Sequence, residues 1–217
     1  MRILILGATG RTGKHLLDLA LGRGHSVNVL VRDKNKLPRL SDRLKVFVGI
    51  PTDPGILEEA MTGCEAVLSS LNISRHSDFP WAKLRTPKDL LSATMKNIIA
   101  IAGKLGIKRI IVLSAWGVNE TKKEIPGWFR WAIDHSNIKY PYLDHGVQED
   151  LLKATDLDWT IVRPSGLNNS RKEKKIKVSF NAVPKPGYLI SRKNVAGFLM
   201  DILETKSYIR QAPTIST

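Results

Sequence analysis

The sequence predicts an α/β fold in which a doubly wound parallel sheet carries helices on both faces. Short apolar runs alternate along the chain with segments of helical period. The runs are almost continuously apolar, as strands covered on both faces are. A glycine-rich turn also joins the first run to the first helical segment. Right-handed crossovers then give a Rossmann-like order. We expect one domain over residues 1–217, with segment 165–190 forming a small C-terminal pocket wall or lid.

Each element follows from its local pattern. On the first helix, Leu16, Leu17, Ala20 and Leu21 share one face. Segments 72–86 and 116–142 show no clear period, so we expect them to be irregular. The predicted strands are Ile3–Leu6, Val27–Val31, Leu44–Val48, Ala66–Leu71, Arg109–Leu113, Trp159–Val162, Ile176–Phe180 and Tyr208–Ile215. The predicted helices are Thr12–Arg23, Pro54–Met61, Pro87–Leu105, Leu143–Thr155 and Asn194–Leu203.

The turn after the first strand has glycines at positions 7, 10 and 13. Gly7 permits a tight turn, Gly10 lets the backbone approach a pyrophosphate, and Gly13 lets the helix pack closely on the strand. An ordinary strand–helix turn is the alternative, but a strand before and a helix after are the context that a dinucleotide site needs. The predicted cofactor-binding residues of this turn are Gly7, Thr9, Gly10, Arg11, Thr12 and Gly13.

The composition narrows the class of partner. Among 217 residues, 34 are basic and 20 acidic, so the net charge of +14 attracts anions, either nucleic acid or a phosphorylated cofactor. The basic stretches Lys34–Lys45 and Arg171–Lys177 contain no interleaved aromatic residues, so nucleic acid is not expected. One cysteine, no signal peptide and no long apolar run predict a cytoplasmic protein without a membrane partner. No residue spacing predicts a metal site.

The residues after the second strand bear on the choice of cofactor. Arg32 lies about twenty residues past the glycine turn, where an arginine can pair with a 2′-phosphate and an acid would bind ribose hydroxyls. Arg11 is a second candidate for that phosphate. Asp33 favours NAD instead, since it takes the place of the acid if the register shifts by one residue. We expect NADP, as NADPH, with NAD as the alternative.

Ligands in doubly wound sheets lie beyond the carboxyl ends of the strands. The positions that converge there after the fourth, fifth and sixth strands are Leu71, Asn72, Ser114 and Pro164, and we expect all four to contact the cofactor. At a strand end, the Ser114 hydroxyl can hold a carbonyl or carboxamide oxygen, or it can cap the next turn.

These motifs resemble the atypical short-chain dehydrogenase/reductase group, above all the NmrA-like proteins and the flavin reductase/biliverdin-IXβ reductase family. The resemblance spans about residues 1–167 and rests on Gly-Ala-Thr-Gly-Arg-Thr-Gly at 7–13, Val-Arg-Asp at 31–33, Val-Leu-Ser-Ala at 112–115 and Leu-Asp-Trp-Thr-Ile-Val-Arg-Pro at 157–164. It implies a Rossmann domain that binds a nicotinamide dinucleotide, usually NADPH, and a Ser114 that faces the nicotinamide or the substrate.

The chain departs from the classical relatives, which use a Tyr-x-x-x-Lys pair for proton transfer. Four residues after Tyr140 comes Asp144, and four after Tyr142 comes Gly146, so neither tyrosine has its lysine. The remaining candidate catalytic residues are Ser114, Tyr142 and His145. A histidine can donate a proton near neutral pH, although His145 can equally serve in hydrogen bonding at a helix start with Asp144 as the cap.

The leading hypothesis is an NADPH-dependent oxidoreductase that reduces a flat conjugated acceptor such as a flavin or quinone, because solvent can supply the proton to such acceptors. The alternatives are a non-catalytic NAD(P)-binding redox sensor and, last, an epimerase or dehydratase. Aromatic residues at 79–81 and 128–131 can wall the substrate site, form a dimer patch or join a satellite core. We expect a small-molecule substrate and a monomer or homodimer.

Overall fold

The structure, a computed structural model, describes residues 1–37, 41–170, 172 and 174–217. The predicted basic stretches Lys34–Lys45 and Arg171–Lys177 therefore lie partly outside the described residues. The strands are β1 (Arg2–Leu6), β2 (Ser26–Val31), β3 (Leu44–Val48), β4 (Ala66–Ser69), β5 (Arg109–Leu113), β6 (Asp158–Pro164), β7 (Gly166–Asn168), β8 (Lys177–Ser179), β9 (Leu189–Ser191) and β10 (Thr214–Ser216). The α-helices are α1 (Gly13–Gly22), α2 (Pro54–Met61), α3 (Leu90–Leu105), α4 (Gly127–Asp134), α5 (Lys139–Lys153) and α6 (Arg192–Glu204).

The central sheet has the strand order β3-β2-β1-β4-β5-β6-β10-β8. The paired strands run parallel, with one exception at the edge, where β8 is antiparallel to β10. The chain builds outward from β1 to β3 and then returns to β4 on the other side of β1. This reversal opens a crevice at the carboxyl ends of β1 and β4, which is where such folds bind ligands. The predicted doubly wound fold is confirmed.

The two faces of the sheet bury separate cores, which explains why β1 is apolar at every position from Ile3 to Leu6. In β1, Ile3 and Ile5 face the core beneath α1 and α6, whereas Leu4 and Leu6 face the core beneath α2 and α3. Both sets are completely buried. At about 25 cal/mol per Å² of apolar area, a strand buried on both faces, such as β1, gains about twice the stabilisation of a half-exposed one.

Three sequence predictions of local structure were wrong. Segment 116–142 is not irregular, because it contains α4 and the start of α5. Its helical pattern was obscured because α4 fully buries only Ile133 and leaves Trp128 and Trp131 exposed. The last strand is Thr214–Ser216 rather than Tyr208–Ile215, because Tyr208 and Arg210 have positive φ angles of 56° and 54°, which end extended structure.

The third error concerns the start of α3, which begins at Leu90 and not at Pro87. Asp89 makes no side-chain cap. The carboxylate of Asp144, on α5, instead accepts hydrogen bonds from the amides of Leu91 and Ser92 at 2.7 and 3.2 Å. Asp144 therefore caps α3 across the interface between the helices, and the expected cap on its own helix is wrong. Among the described residues, no helix is both long and apolar enough to cross a bilayer.

Candidate active site

The glycine turn leaves little or no room for a Cβ atom at positions 7, 10 and 13. Gly7 adopts a φ of +81°, a conformation that glycine accepts without strain. A Cβ atom on Gly13 would lie 2.0 Å from the carbonyl oxygen of Gly7, and one on Gly10 would lie 3.1 Å from it. The Gly10 amide donates to that same oxygen at 2.8 Å. The turn therefore folds tightly against β1 and brings the start of α1 to the crevice.

The first turn of α1 has amides without intrahelical partners. Thr12 occupies the cap position but makes no side-chain cap, and Lys14 is the first amide to bond back, to Gly10 at 3.0 Å. Within the described part of the chain, no backbone oxygen accepts from the amides of Arg11, Thr12 or Gly13. Such amides at the positive end of a helix dipole bind phosphate. The turn thus fits the pyrophosphate of a dinucleotide.

Arg32 and Asp33 differ in what they are free to bind. Asp33 caps the 3₁₀ turn at 34–36, accepting from the Asn35 amide at 3.0 Å. Arg32 follows β2 directly, is exposed, and makes no hydrogen bond or ion pair with any described residue. The guanidinium at this position is available for a 2′-phosphate, whereas the carboxylate is already engaged.

Arg11, the other candidate for the phosphate, forms an ion pair with a residue of the 72–86 segment. Its two terminal nitrogens each contact a carboxylate oxygen of Asp78 at 2.8 Å. This pairing lowers the pKa of Asp78. Both side chains are largely exposed, so the pair itself adds little stability. It nevertheless ties the glycine turn to the segment that follows β4, and a ligand that uses Arg11 must displace Asp78.

The other predicted cofactor residues lie at the same edge of the sheet. Leu71 is half-buried and Asn72 is exposed, just beyond the end of β4. Pro164 ends β6, and its carbonyl accepts from the Trp116 amide at 3.0 Å. Ser114 follows β5 and is buried. The fold therefore brings the predicted positions to one edge, while their contacts with a cofactor stay a prediction.

Beneath this edge lies a buried ionic network that sequence reasoning missed. Arg163, on β6, contacts both oxygens of Glu149, one of them from Nε at 2.9 Å, and also reaches Glu120 at 2.8 Å. Glu149 and Arg163 are 0% and 2% exposed. Burial opposes ionisation of both carboxyls, but hydrogen bonds from Arg163 prevail, so the pKa of Glu149 is lowered and that of Glu120 falls to about 2. A charged residue inside an apolar strand was the available signal for such a partner.

Ser114 belongs to this network. Its hydroxyl donates to Glu149 Oε1 at 2.6 Å. Because a serine has a single proton, the hydroxyl in this state can only accept from a ligand. With its proton on Glu149, the hydroxyl offers only lone pairs, which suit an N–H group such as that of a carboxamide and not a carbonyl oxygen. The contact of Ser114 with a nicotinamide or substrate stays a prediction.

Tyr142 and His145 lie within α5 in surroundings that disfavour their charged forms. Burial raises the pKa of Tyr142 to about 12, and its hydroxyl donates to the Trp116 carbonyl at 3.4 Å. Burial also lowers the pKa of His145 to about 4, against an opposing effect of Glu149. Gln148 Nε2 lies 3.4 Å from His145 Nδ1. Burial thus makes Tyr142 a weaker acid than a free phenol and disfavours the protonated form of His145, so both side chains suit positioning better than proton donation near pH 7.

The aromatic residues near this edge divide into core and surface. Phe129 packs against Trp116 and Ile125 in a small third core. Trp128 and Trp131, on the same helix, are 72% and 58% exposed. Trp81 donates from Nε1 to the His135 carbonyl at 2.9 Å, which joins the 72–86 segment to the end of α4.

Comparison with known proteins shows the family to which the chain belongs. A family described as NAD(P)H-binding matches residues 7–206, nearly the whole chain. The chain belongs to this NAD(P)H-binding family. The match begins at the first glycine of the turn, and the predicted binding of a nicotinamide dinucleotide is confirmed. The resemblance to the atypical short-chain dehydrogenases/reductases is confirmed as well.

Individual members are related over most of the chain. An oxidoreductase of Pestalotiopsis microspora is 31% identical over 179 residues, which are 76% of this chain and 66% of that protein. The oxidoreductase stcQ of Emericella nidulans is 26% identical over 75% of this chain and 64% of its own length. The chain therefore spans just under two thirds of these two relatives.

Solved structures share the fold at low sequence identity. A short-chain dehydrogenase/reductase of Veillonella parvula, in complex with NADP, has a TM-score of 0.81 and 21% identity, covering 100% of this chain and 94% of that one. ChuY, an anaerobilin reductase of Escherichia coli O157:H7, has a TM-score of 0.81 and 19% identity over 100% and 97% of the two chains.

Proposed function

We propose that this NAD(P)H-binding protein is an NADPH-dependent reductase of a flat conjugated acceptor, such as a flavin or a quinone. The observation that carries the proposal is the glycine turn, where no described backbone oxygen accepts from the amides of residues 11–13. Arg32, at the end of the neighbouring strand β2, also has no partner among the described residues. The oxidoreductases among its relatives support the reaction class.

Different residues at the sheet edge would bind different parts of the cofactor. The glycine turn would hold the pyrophosphate, Arg32 the 2′-phosphate, and Ser114 with the Pro164 region the nicotinamide end. When held there, NADPH would supply a hydride and become NADP⁺, and the acceptor would gain that hydride and one proton. We assign the proton to water, because burial makes Tyr142 a weaker acid than a free phenol and disfavours the protonated form of His145 that would donate. Segment 165–190 would form the far wall of the acceptor pocket.

The missing tyrosine–lysine pair also suits a non-catalytic redox sensor, which we keep as the second candidate. The deciding experiment measures NADPH oxidation at 340 nm with riboflavin, FMN and a short-chain quinone, alongside calorimetric titration with NADPH and NADP⁺. Turnover with any acceptor supports the reductase. Tight NADPH binding without turnover, together with very different affinities for the two redox forms, would instead support the sensor.

Arg32→Ala tests the choice of cofactor. Loss of a charge-assisted contact of roughly 1.5–3 kcal/mol should weaken NADPH binding by about 10- to 100-fold and leave NADH binding nearly unchanged. Paired titrations with the two cofactors measure this difference. Lys45→Ala, another exposed cation on the neighbouring strand β3, is the control. Equal losses for NADPH and NADH would refute the phosphate contact of Arg32.

His145→Gln tests the source of the proton. Because the imidazole is neutral at pH 7, the variant should keep kcat within about threefold of wild type, with the same pH–rate profile from pH 5.5 to 8. His76→Gln, at an exposed site, is the control. A fall in kcat of about 100-fold or more, in a variant that still binds NADPH, would make His145 the proton donor.

A further inference from the structure

Four large aromatic side chains form one exposed patch, which we call the aromatic surface. Phe79 and Trp81, in the 72–86 segment, are 62% and 49% exposed, and Trp128 and Trp131, on α4, are 72% and 58% exposed. Single exposed apolar residues are ordinary in folded proteins and need no explanation. A contiguous patch of large ones, in contrast, marks a surface that binds a partner or a membrane.

Ring contacts and a hydrogen bond join the four residues into one patch. Trp131 stacks on the ring of His135 at a centroid distance of 4.8 Å, and the His135 carbonyl accepts from Trp81 Nε1 at 2.9 Å. Phe79 lies against Trp81, with ring centroids 5.3 Å apart. Trp128 precedes Trp131 by three residues, so both lie on the same side of α4. The aromatic surface therefore continues from the 72–86 segment along this helix.

Helix α4 carries apolar residues on two opposite sides. On one side, Phe129 and Ile133 pack into the small third core. Helical spacing places Trp128 and Trp131 on the other side, where a surface helix normally carries polar residues. The core accounts for the first side only. The two exposed tryptophans are therefore not needed to hold the helix in place.

The charge beside the aromatic surface is positive. Arg130 lies between the two tryptophans in the sequence, is exposed, and forms no ion pair with any described residue. The 72–86 segment and α4 contain one carboxylate each, and both are already paired. Asp134 contacts Lys122 at 2.6 Å, and Asp78 contacts Arg11 at 2.8 Å. Further exposed cations next to the surface are Lys83 and Lys123.

This combination of tryptophan and unpaired cations matches a bilayer that contains anionic lipids. Tryptophan favours the boundary between lipid headgroups and acyl chains, because its ring is apolar and its N–H group is polar. The indole N–H groups of Trp128 and Trp131 donate to no described residue, unlike those of Trp81 and Trp116. Each basic side chain near an anionic bilayer adds further attraction.

Two other occupants fit the aromatic surface less well. A second copy of the chain would bring another net charge of +14 and another Arg130 to the contact, so like charges oppose it. Single-stranded nucleic acid needs free ring faces on which its bases can stack. Here His135 covers one face of Trp131, and Phe79 packs against Trp81.

We propose that the aromatic surface binds peripherally to bilayers that contain anionic lipids, with Trp128 and Trp131 at the level of the headgroups and Arg130 beside the lipid phosphates. Such binding needs no spanning helix. It therefore revises the expectation of no membrane partner, which depended on the lack of a long apolar run. The proposal goes beyond the reductase activity and does not depend on it.

Sedimentation of the full chain with lipid vesicles tests the proposal. The vesicles contain phosphatidylcholine alone, or phosphatidylcholine with about a third of phosphatidylglycerol. We expect binding to the anionic vesicles to be about 10-fold tighter or more, and to weaken at higher salt. Phosphatidylcholine brominated on its acyl chains should quench tryptophan fluorescence in the anionic vesicles. Because Trp116 and Trp159 are buried, this quenching reports the tryptophans of the aromatic surface.

Variants of exposed residues locate the contact. Trp128→Ala/Trp131→Ala should weaken binding to the anionic vesicles by about 10-fold or more and remove most of the quenching. Arg130→Gln should weaken it by about fivefold, and only where anionic lipid is present. The control Val48→Ala/Ile50→Ala changes two apolar residues, 55% and 51% exposed, at the distant edge strand β3 and should bind like the wild type. Circular dichroism confirms that each variant is folded.

The results that contradict the proposal are distinct. It is overturned if the wild type does not bind the anionic vesicles, or if the tryptophan variant binds them equally well, since charge alone then explains the binding. A dimer that the tryptophan variant loses assigns the surface to a second copy. Binding of a labelled single-stranded oligonucleotide that the same variant loses, with vesicle binding kept, assigns it to nucleic acid.

A wall of the acceptor pocket is the remaining alternative. The aromatic surface borders the crevice, because Phe79 follows the Asp78 that pairs with Arg11 of the glycine turn. If the tryptophan variant keeps vesicle binding but loses turnover of an acceptor, the surface is a pocket wall and the proposal is wrong. Vesicle binding that depends on the tryptophans supports the proposal whether or not the protein oxidises NADPH.

Discussion

Gly13→Ala should abolish measurable NADPH binding and lower the free energy of unfolding by about 3 kcal/mol. The new methyl group would lie 2.0 Å from the Gly7 oxygen, 2.7 Å from the Gly7 carbonyl carbon and 2.9 Å from the Ala8 Cα. All three atoms are backbone, so no side chain can rotate away. Helix α1 must move off β1, and its first amides then leave the position that suits a pyrophosphate. Calorimetry with NADPH and urea denaturation measure the two effects.

Gly22→Ala is the matched control for this substitution. It lies in the same helix, and a Cβ there would meet nothing within 4 Å. Alanine is also the better helix former by up to about 1 kcal/mol. The control should therefore bind NADPH normally and unfold at the same urea concentration or a higher one. Wild-type NADPH affinity in Gly13→Ala would refute the close approach on which the cofactor site is built.

The part of the site that depends on adjacent residues was predictable from the sequence. The glycine turn is one continuous stretch between a buried strand and a helix, so its spacing alone indicates its geometry. The parallel sheet was likewise predictable, because strands buried on both faces need apolar residues at every position. Arg32 was placed correctly at the end of β2, since its position depends only on where that strand stops.

The contacts that join distant segments were not predictable in the same way. Ser114 donates to a carboxylate 35 residues away, and Asp144 caps a helix that begins 54 residues before it. Neither pairing leaves a periodic or local signal. Helix α4 was missed because its tryptophans are exposed, which breaks the usual relation between apolar residues and burial.

Arg163→Met should cost about 3–5 kcal/mol of the free energy of unfolding, because it leaves the buried carboxylate of Glu149 without its main cation. Urea denaturation at pH 7 measures this loss. Lys104→Met removes a surface cation from Glu58, to which it is paired at 3.1 Å, and should cost less than about 1 kcal/mol. A similar small loss in both variants would mean that the buried pair contributes no more than a surface pair.

The pH dependence of the unfolding free energy tests whether the unpaired carboxylate of Glu149 causes the loss of stability in Arg163→Met. In the wild type, the pKa of Glu149 is lowered, so its contribution to stability is present above the ordinary carboxyl pKa and is lost as the pH falls through the lowered value. In Arg163→Met, burial without the guanidinium should raise that pKa above its unfolded value, so protonation stabilises the variant as the pH falls. The stability gap between the two proteins should therefore narrow from pH 7 towards pH 4.5.

A double-mutant cycle completes this test. Arg163→Met/Glu149→Met removes both charges from an apolar setting and should recover most of the lost stability, with a coupling free energy of roughly 2–3 kcal/mol. It also releases the Ser114 hydroxyl from its carboxylate acceptor. If the network positions Ser114 for the nicotinamide, the stable double variant should show a lower kcat with a nearly unchanged NADPH dissociation constant. Additive losses in the cycle, or wild-type kcat in the double variant, would show that Glu149 and Arg163 do not act as one positioning unit.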